Sequence, residues 1–217
     1  MKGKKILKIV LIVILVLIVL LLVNTIRKYI IVKDLQNKIS KYTSSNNYHM
    51  SLTSYNKIIG QKGKVEYYKK DKKELYIMET TLNEKNAKLS SYNNGERIDV
   101  FYEGPDYKNA EIDSDFISKI ELHNGIDYTG SDLNTFLTCL MGVIKINSTK
   151  YNDIDCYLVT LGGKEKYYIE KDTGLLLKSF VSNYEVERSY EFNNVSDEVF
   201  IEPDIGQYTI LKNNLII

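Results

Sequence analysis

Tyr184-Glu185-Val186-Glu187-Arg188-Ser189-Tyr190-Glu191-Phe192 is the stretch that decides the fold. Tyr184, Val186, Arg188, Tyr190 and Phe192 take every second position, and Glu185, Glu187, Ser189 and Glu191 fill the gaps. Successive side chains of a strand point to opposite faces, so this spacing predicts one mainly apolar face and one acidic, wet face. Sheets with one solvated face are typically antiparallel.

The same period-two signal returns on the chain before it. Upstream, strands are predicted near Leu175–Val181, Lys164–Glu170 and Asp155–Leu161, with Lys171-Asp172-Thr173-Gly174 as a tight turn whose glycine suits a positive φ. Further back, Tyr48, Met50 and Leu52 alternate with His49, Ser51 and Thr53, and short runs follow near Lys64–Lys69, Glu74–Thr81, Lys88–Tyr92 and Arg97–Tyr102. Turn-rich pieces such as Asn93-Asn94-Gly95 and Glu103-Gly104-Pro105-Asp106 separate them, the pattern of an antiparallel meander. One segment breaks the series. Ser131-Asp132 reads as a helix N-cap ahead of Leu133, Phe136, Leu137, Leu140 and Met141, which share a helical face, and Gly142 ends that helix. No internal repeat of fixed period is present.

The N-terminus is of a different kind. Lys2, Lys4, Lys5 and Lys8 lead into Ile9–Val23, which holds only Ile, Leu and Val. Counted from Ile6, the run is about 18 residues and spans roughly 27 Å as a helix, enough to cross the hydrocarbon core. A helix satisfies its own backbone hydrogen bonds there. Leu20–Thr25 offers no small-residue cleavage site of the A-x-A kind, so an uncleaved signal anchor is expected rather than a signal peptide. The short basic end favours a cytoplasmic N-terminus and an extracytoplasmic domain on the cell membrane. The expected organisation is a basic tail (1–5), a single transmembrane anchor (6–23), a helical connector (24–45) and one antiparallel sheet domain (46–217). Ile31, Leu35, Ile39 and Tyr42 form the connector's apolar stripe, and Thr43-Ser44-Ser45-Asn46-Asn47 ends it.

Composition narrows the function classes. The first 28 residues hold six of the 29 basic residues and none of the 28 acids, which leaves 23 basic against 28 acidic, a net of about −5 for the rest. An acidic domain is not drawn to phosphate backbones, so nucleic acid is not an expected partner. Tyr is abundant at 18, Trp is absent and Pro is nearly so at 2, a strand-forming rather than a disordered composition. Cys139 and Cys156 either close a loop of about 17 residues, worth about 3 kcal/mol if unstrained, or stay as two buried thiols. Two histidines and no CxxC spacing argue against a metal site, and no cofactor is expected. G-x-S-x-G, H-E-x-x-H, P-loop and G-x-G-x-x-G motifs are absent. His49 and His123 read as ordinary strand or surface histidines. The acid pairs Asp113/Asp115 and Glu185/Glu187 have the spacing of solvated strand faces or turns. An enzyme therefore ranks last, and no catalytic residue is assigned.

Tyr167-Tyr168-Ile169-Glu170-Lys171-Asp172-Thr173-Gly174-Leu175 resembles the strand–turn–strand of LolA-like proteins. Tyr190, Phe192, Asn194-Val195, Phe200 and Pro203-Asp204 continue the likeness, and Asn94–Tyr102 is similar to an earlier strand of that family. The resemblance covers about two-thirds of the domain. It implies an α+β fold: the transmembrane helix followed by an antiparallel β half-barrel with covering helices, of the kind used by lipoprotein carriers and RseB-type envelope sensors. The retained membrane helix departs from a freely shuttling carrier.

Three functions follow as expectations. The first is a membrane-tethered binding protein for a lipid or lipoprotein acyl chain in an apolar groove. Ile98, Val100, Tyr102, Tyr184, Val186 and Tyr190 would line it, and Phe136, Leu137, Leu140 and Met141 would cover it. The second is a protein–protein sensor or scaffold module with an envelope protein partner, for which Glu185, Glu187 and Glu191 supply a charged face. An NTF2-like domain ranks third, because that fold opens on long helices before its strands.

Overall fold

The computed structural model describes residues 2–82, 85–116, 120, 122–126 and 131–211. It is an α+β protein with an apolar N-terminal helix and mostly antiparallel sheet structure. Two compact units divide the chain, Met1–Ser40 with His123–Leu176, and Lys41–Leu122 with Leu177–Ile217.

Helix α1, Lys2–Thr43, runs unbroken through the apolar stretch and the connector. Among the described residues it is the one helix long and apolar enough to cross a membrane, as an anchor or a signal sequence, and the side chains of its apolar window are unburied. Beyond the apolar run the helix turns one stripe inward, with Thr25, Val32, Leu35 and Ile39 buried. In the first unit that stripe accompanies three antiparallel strands, β7 (Ile144–Tyr151), β8 (Ile154–Leu161) and β9 (Glu165–Glu170). Ile144, Val159 and Ile169 are fully buried on them. After β9 the expected turn forms. Glu170 N–H donates to the Leu175 carbonyl at 2.9 Å, and Gly174 takes φ +74°. A side chain at Gly174 has no room, because its Cβ would stand 2.5 Å from the Leu35 carbonyl oxygen of α1.

Helix α2, Asp132–Leu140, begins where the sequence predicts, with the Ser131 hydroxyl accepting from Asn134 N–H. Its buried face is a correction. The expected apolar stripe of Leu133, Phe136, Leu137, Leu140 and Met141 is not what packs; Thr135 and Cys139 are buried, while Leu133, Leu137 and Met141 are exposed. The cause lies in the neighbour. Lys33 pairs with Asp132 at 2.7 Å and Tyr29 meets Phe136 edge to face at 6.0 Å, so α1 fixes which side of α2 turns inward. Cys139 and Cys156 are separate buried thiols, and burial raises both above the ordinary thiol range, Lys28 opposing at Cys139.

In the second unit β1 (Asn47–Asn56), β2 (Lys62–Lys70), β3 (Lys73–Leu82), β4 (Lys85–Asn93) and β5 (Ile98–Gly104) form the predicted meander, and β6 (Tyr107–Glu111) extends it. With β10 (Leu176–Val181), β11 (Tyr184–Phe192) and β12 (Thr209–Ile210), the strand order is β12-β6-β5-β4-β3-β2-β1-β11-β10. The two-residue β12 pairs in parallel with β6. Strand β11 thus sits between β1 and β10, and not at the sheet's edge.

Candidate functional site

Register aligns the second unit's side chains into rows that cross the strands. One row on the apolar face runs Tyr190, Met50, Tyr67, Tyr76, Ser91 and Val100. Tyr48, Met50, Tyr67 and Leu122 form a buried cluster there, with Tyr42, Ile120, Tyr190 and Phe192 packed on it. Of the expected groove residues, Ile98, Val100 and Tyr102 share this face on β5, with Val100 fully buried and the other two half-buried. Tyr184, Val186 and Tyr190 share it on β11, with four strands in between, and Tyr184 is exposed. Phe136, Leu137, Leu140 and Met141 belong to the other unit.

The opposite face is polar. Two adjacent rows cross β11, β1, β2 and β3: Glu187, Thr53, Lys64 and Glu79, then Glu185, Tyr55, Lys62 and Thr81. Together with Ser54 and Gly63 these eight residues line a cavity of about 480 Å³. Acid and base alternate across it. Lys178 holds Glu185 at 2.6 Å and Glu187 at 2.7 Å, and Lys57 reaches Glu185 at 3.3 Å. The Lys178 hydrogen bond keeps the Glu185 carboxyl below the usual carboxylate range, partial burial opposing and Lys57 adding. The pair Glu185/Glu187, read from sequence as a solvated strand face, is therefore a salt-bridged one.

Next to the cavity on the same face stands a group that sequence reasoning passed over. Glu66 Oε2 lies 2.6 Å from His49 Nε2, its Oε1 accepts from the Ser51 hydroxyl at 3.0 Å, and Lys64 Nζ lies 2.8 Å from Oε1. The His49 ring stacks on Tyr68 at 4.2 Å, and its other nitrogen is 3.9 Å from Glu191 Oε2. Burial raises the cost of charging Glu66, but the hydrogen bonds from Lys64, His49 and Ser51 outweigh it and hold the carboxyl below its ordinary range. Ser51 and His49 each bond one oxygen of the Glu66 carboxylate, so the two are linked through Glu66 and not as a direct Ser–His pair. This is an electrostatic knot, suited to fixing the polar face in place. His49 sits between two strands whose alternation was legible, but its lateral neighbours depend on register. Its carboxylate partner was not visible in the sequence.

The second unit thus defines a class, an antiparallel sheet with one aromatic, packed face and one charge-patterned face that bears a cavity. No protein-family model matches the sequence, and no curated protein matches it. Among solved structures, the chain is similar to MucB in the crystal structure of MucB in complex with MucA(peri), at 8% identity and TM-score 0.34, over 79% of this chain and 59% of that one. It is similar likewise to a chain of the Pseudomonas aeruginosa MucA/MucB complex, at 8% identity and TM-score 0.35, over 78% and 60%. The chain spans about six-tenths of the length of these solved chains.

Proposed function

We propose that this chain is a membrane-tethered binding module of the cell envelope, without a catalytic centre, that engages an extended segment of a partner protein on the polar face of its second unit. The single observation that carries this reading is the cavity built from two complete cross-strand rows, with Glu185, Lys62, Glu187, Lys64 and Glu79 set in alternating charge. An extended peptide presents side chains at the same few-ångström spacing, so a segment with interspersed basic and acidic residues would match that pattern. Tyr55, 41% exposed at the cavity, supplies the large, stiff contact surface on which such interfaces rely. Apolar helix α1 is the tether, with the N-terminus inside and both units outside, and the half-barrel closure implied by the LolA-like resemblance belongs to the same proposal.

An acyl chain or lipoprotein on the apolar face is the second reading. The partly exposed Ile98, Tyr102, Val186 and Tyr190 favour it, while Met50, Tyr67 and Val100 are already buried by protein. One experiment separates the two. A photo-crosslinking residue replaces Tyr55 in the full chain in cells, and lipid is extracted from the purified chain for mass spectrometry. The first reading predicts one discrete protein adduct that disappears when Glu185 and Glu187 are changed to Lys. Co-purified acyl lipid with no Tyr55 adduct would overturn it in favour of the second.

A further inference from the structure

Apolar side chains remain uncovered at the base of the first unit, next to the end of the membrane run. Leu137, Met141 and Val143 are exposed, Met141 by 69%, and Ile26 and Ile30 of α1 are exposed as well. Their height along α1 follows from three contacts. Asp132 meets Lys33, Phe136 meets Tyr29, and the Lys28 charge reaches the Cys139 thiol, so α2 runs antiparallel to α1 and its C-terminal end points back toward the apolar run. Tyr29 is six residues beyond Val23, about 9 Å up the helix. Met141 is five residues past Phe136, about 7.5 Å back down, which brings it to within a few ångströms of the end of the run. Thr25 agrees with that level, since it is 2% exposed only two residues after Val23, so folded protein already packs against one side of α1 there.

From this geometry we infer that the α2–β7 corner, Leu137 to Val143, is a second membrane contact that lies in the headgroup region of the same bilayer that α1 crosses. The inference rests on the tether proposed above. Its occupant is lipid because the exposed residues continue the lipid-facing surface of α1 through Ile26 and Ile30 without a break in level. Arg27, Lys28 and Tyr29 occupy that height too, as residues whose stems suit the apolar side and whose tips suit headgroups. Gly142, at φ +71° with nothing within 4 Å of where its Cβ would be, turns the chain at the tip. Two attachments, a span and an interfacial corner, restrict how the first unit can rotate on its tether.

The test uses the full chain in vesicles of phosphatidylcholine and phosphatidylglycerol, with an environment-sensitive fluorophore on Met141→Cys or on Leu15→Cys, and nitroxides on either the lipid headgroup or the mid-acyl chain. The unsubstituted chain corrects for the buried native thiols. The expected result is quenching of the Leu15 label by mid-acyl nitroxide and of the Met141 label by headgroup nitroxide, the latter falling at least severalfold in L137S/V143S. A quenched Leu15 label with a Met141 label in water overturns the interfacial contact and leaves the tether standing. An unquenched Leu15 label removes the tether and this inference with it. A Met141 label shielded from water but untouched by nitroxide places a protein, or a second copy of the chain, on the corner, and also overturns the lipid assignment.

Discussion

Glu66 gathers Lys64, His49 and Ser51 around one carboxylate, and its protonation has a definite sign. Its folded-state affinity for a proton is lowered, so the stabilisation is present above the unfolded carboxylate value and fades as the pH falls through the lower folded value. Glu66→Gln is expected to cost about 1–3 kcal/mol at pH 7, as charged hydrogen bonds do. At pH 3 the cost should shrink, and urea unfolding at the two pH values checks it. Tyr208 shows the opposite pattern. Partial burial, then its hydrogen bond to Glu103 at 2.8 Å, pushes its hydroxyl up to about 12. Between pH 10 and 12 the unfolded chain gives up this proton and the folded chain keeps it, so stability falls as the pH rises. Tyr208→Phe should flatten that alkaline slope in thermal unfolding. None of these pairings was legible in the sequence, since Glu103 and Tyr208 are 105 residues apart.

At the scale of elements, the local period carried most of the way. The strand Tyr184–Phe192 was read to the residue, and the helix start at Ser131 was read from its cap. Strand β6, Tyr-Lys-Asn-Ala-Glu, was missed because it has almost no apolar alternation of its own; it exists by pairing with β5. Strand β7, which follows the Gly142 that ends α2, is not among the strands expected from the sequence, and the short 3-10 turns at Asp197–Phe200 and Ile205–Gln207 carry no strong local signal. The face that α2 buries follows from a related cause: a single apolar stripe does not say what the helix packs against, whereas the contacts of Lys33 with Asp132 and of Tyr29 with Phe136 do. The turn after β9 offers the clearest test at this scale. Gly174→Ala combines a positive φ with a 2.5 Å approach to the Leu35 carbonyl, so it should destabilise the protein by at least about 1 kcal/mol, measured by chemical denaturation.

For the whole molecule, the proposed tether makes a simple prediction. The full chain should stay with membranes through alkaline carbonate washing, and paired lysines at Leu15 and Val16 should release it, because charges at the centre of a span cost several kcal/mol. Fractionation of cells checks this. Local sequence pattern is enough to specify the apolar N-terminal helix, the strand-rich α+β character, the meander and the turn chemistry. Each of these depends on side chains a few positions apart, and a period of two or 3.6 records them directly. Tertiary structure alone decided that Glu66 meets His49, that Lys62 and Lys64 stand across from Glu185, Glu187 and Glu79, and that Leu137 and Met141 are left uncovered. Those outcomes depend on cross-strand register and on which side of α2 meets α1, and both are set by contacts between residues far apart in the chain, which no local pattern encodes.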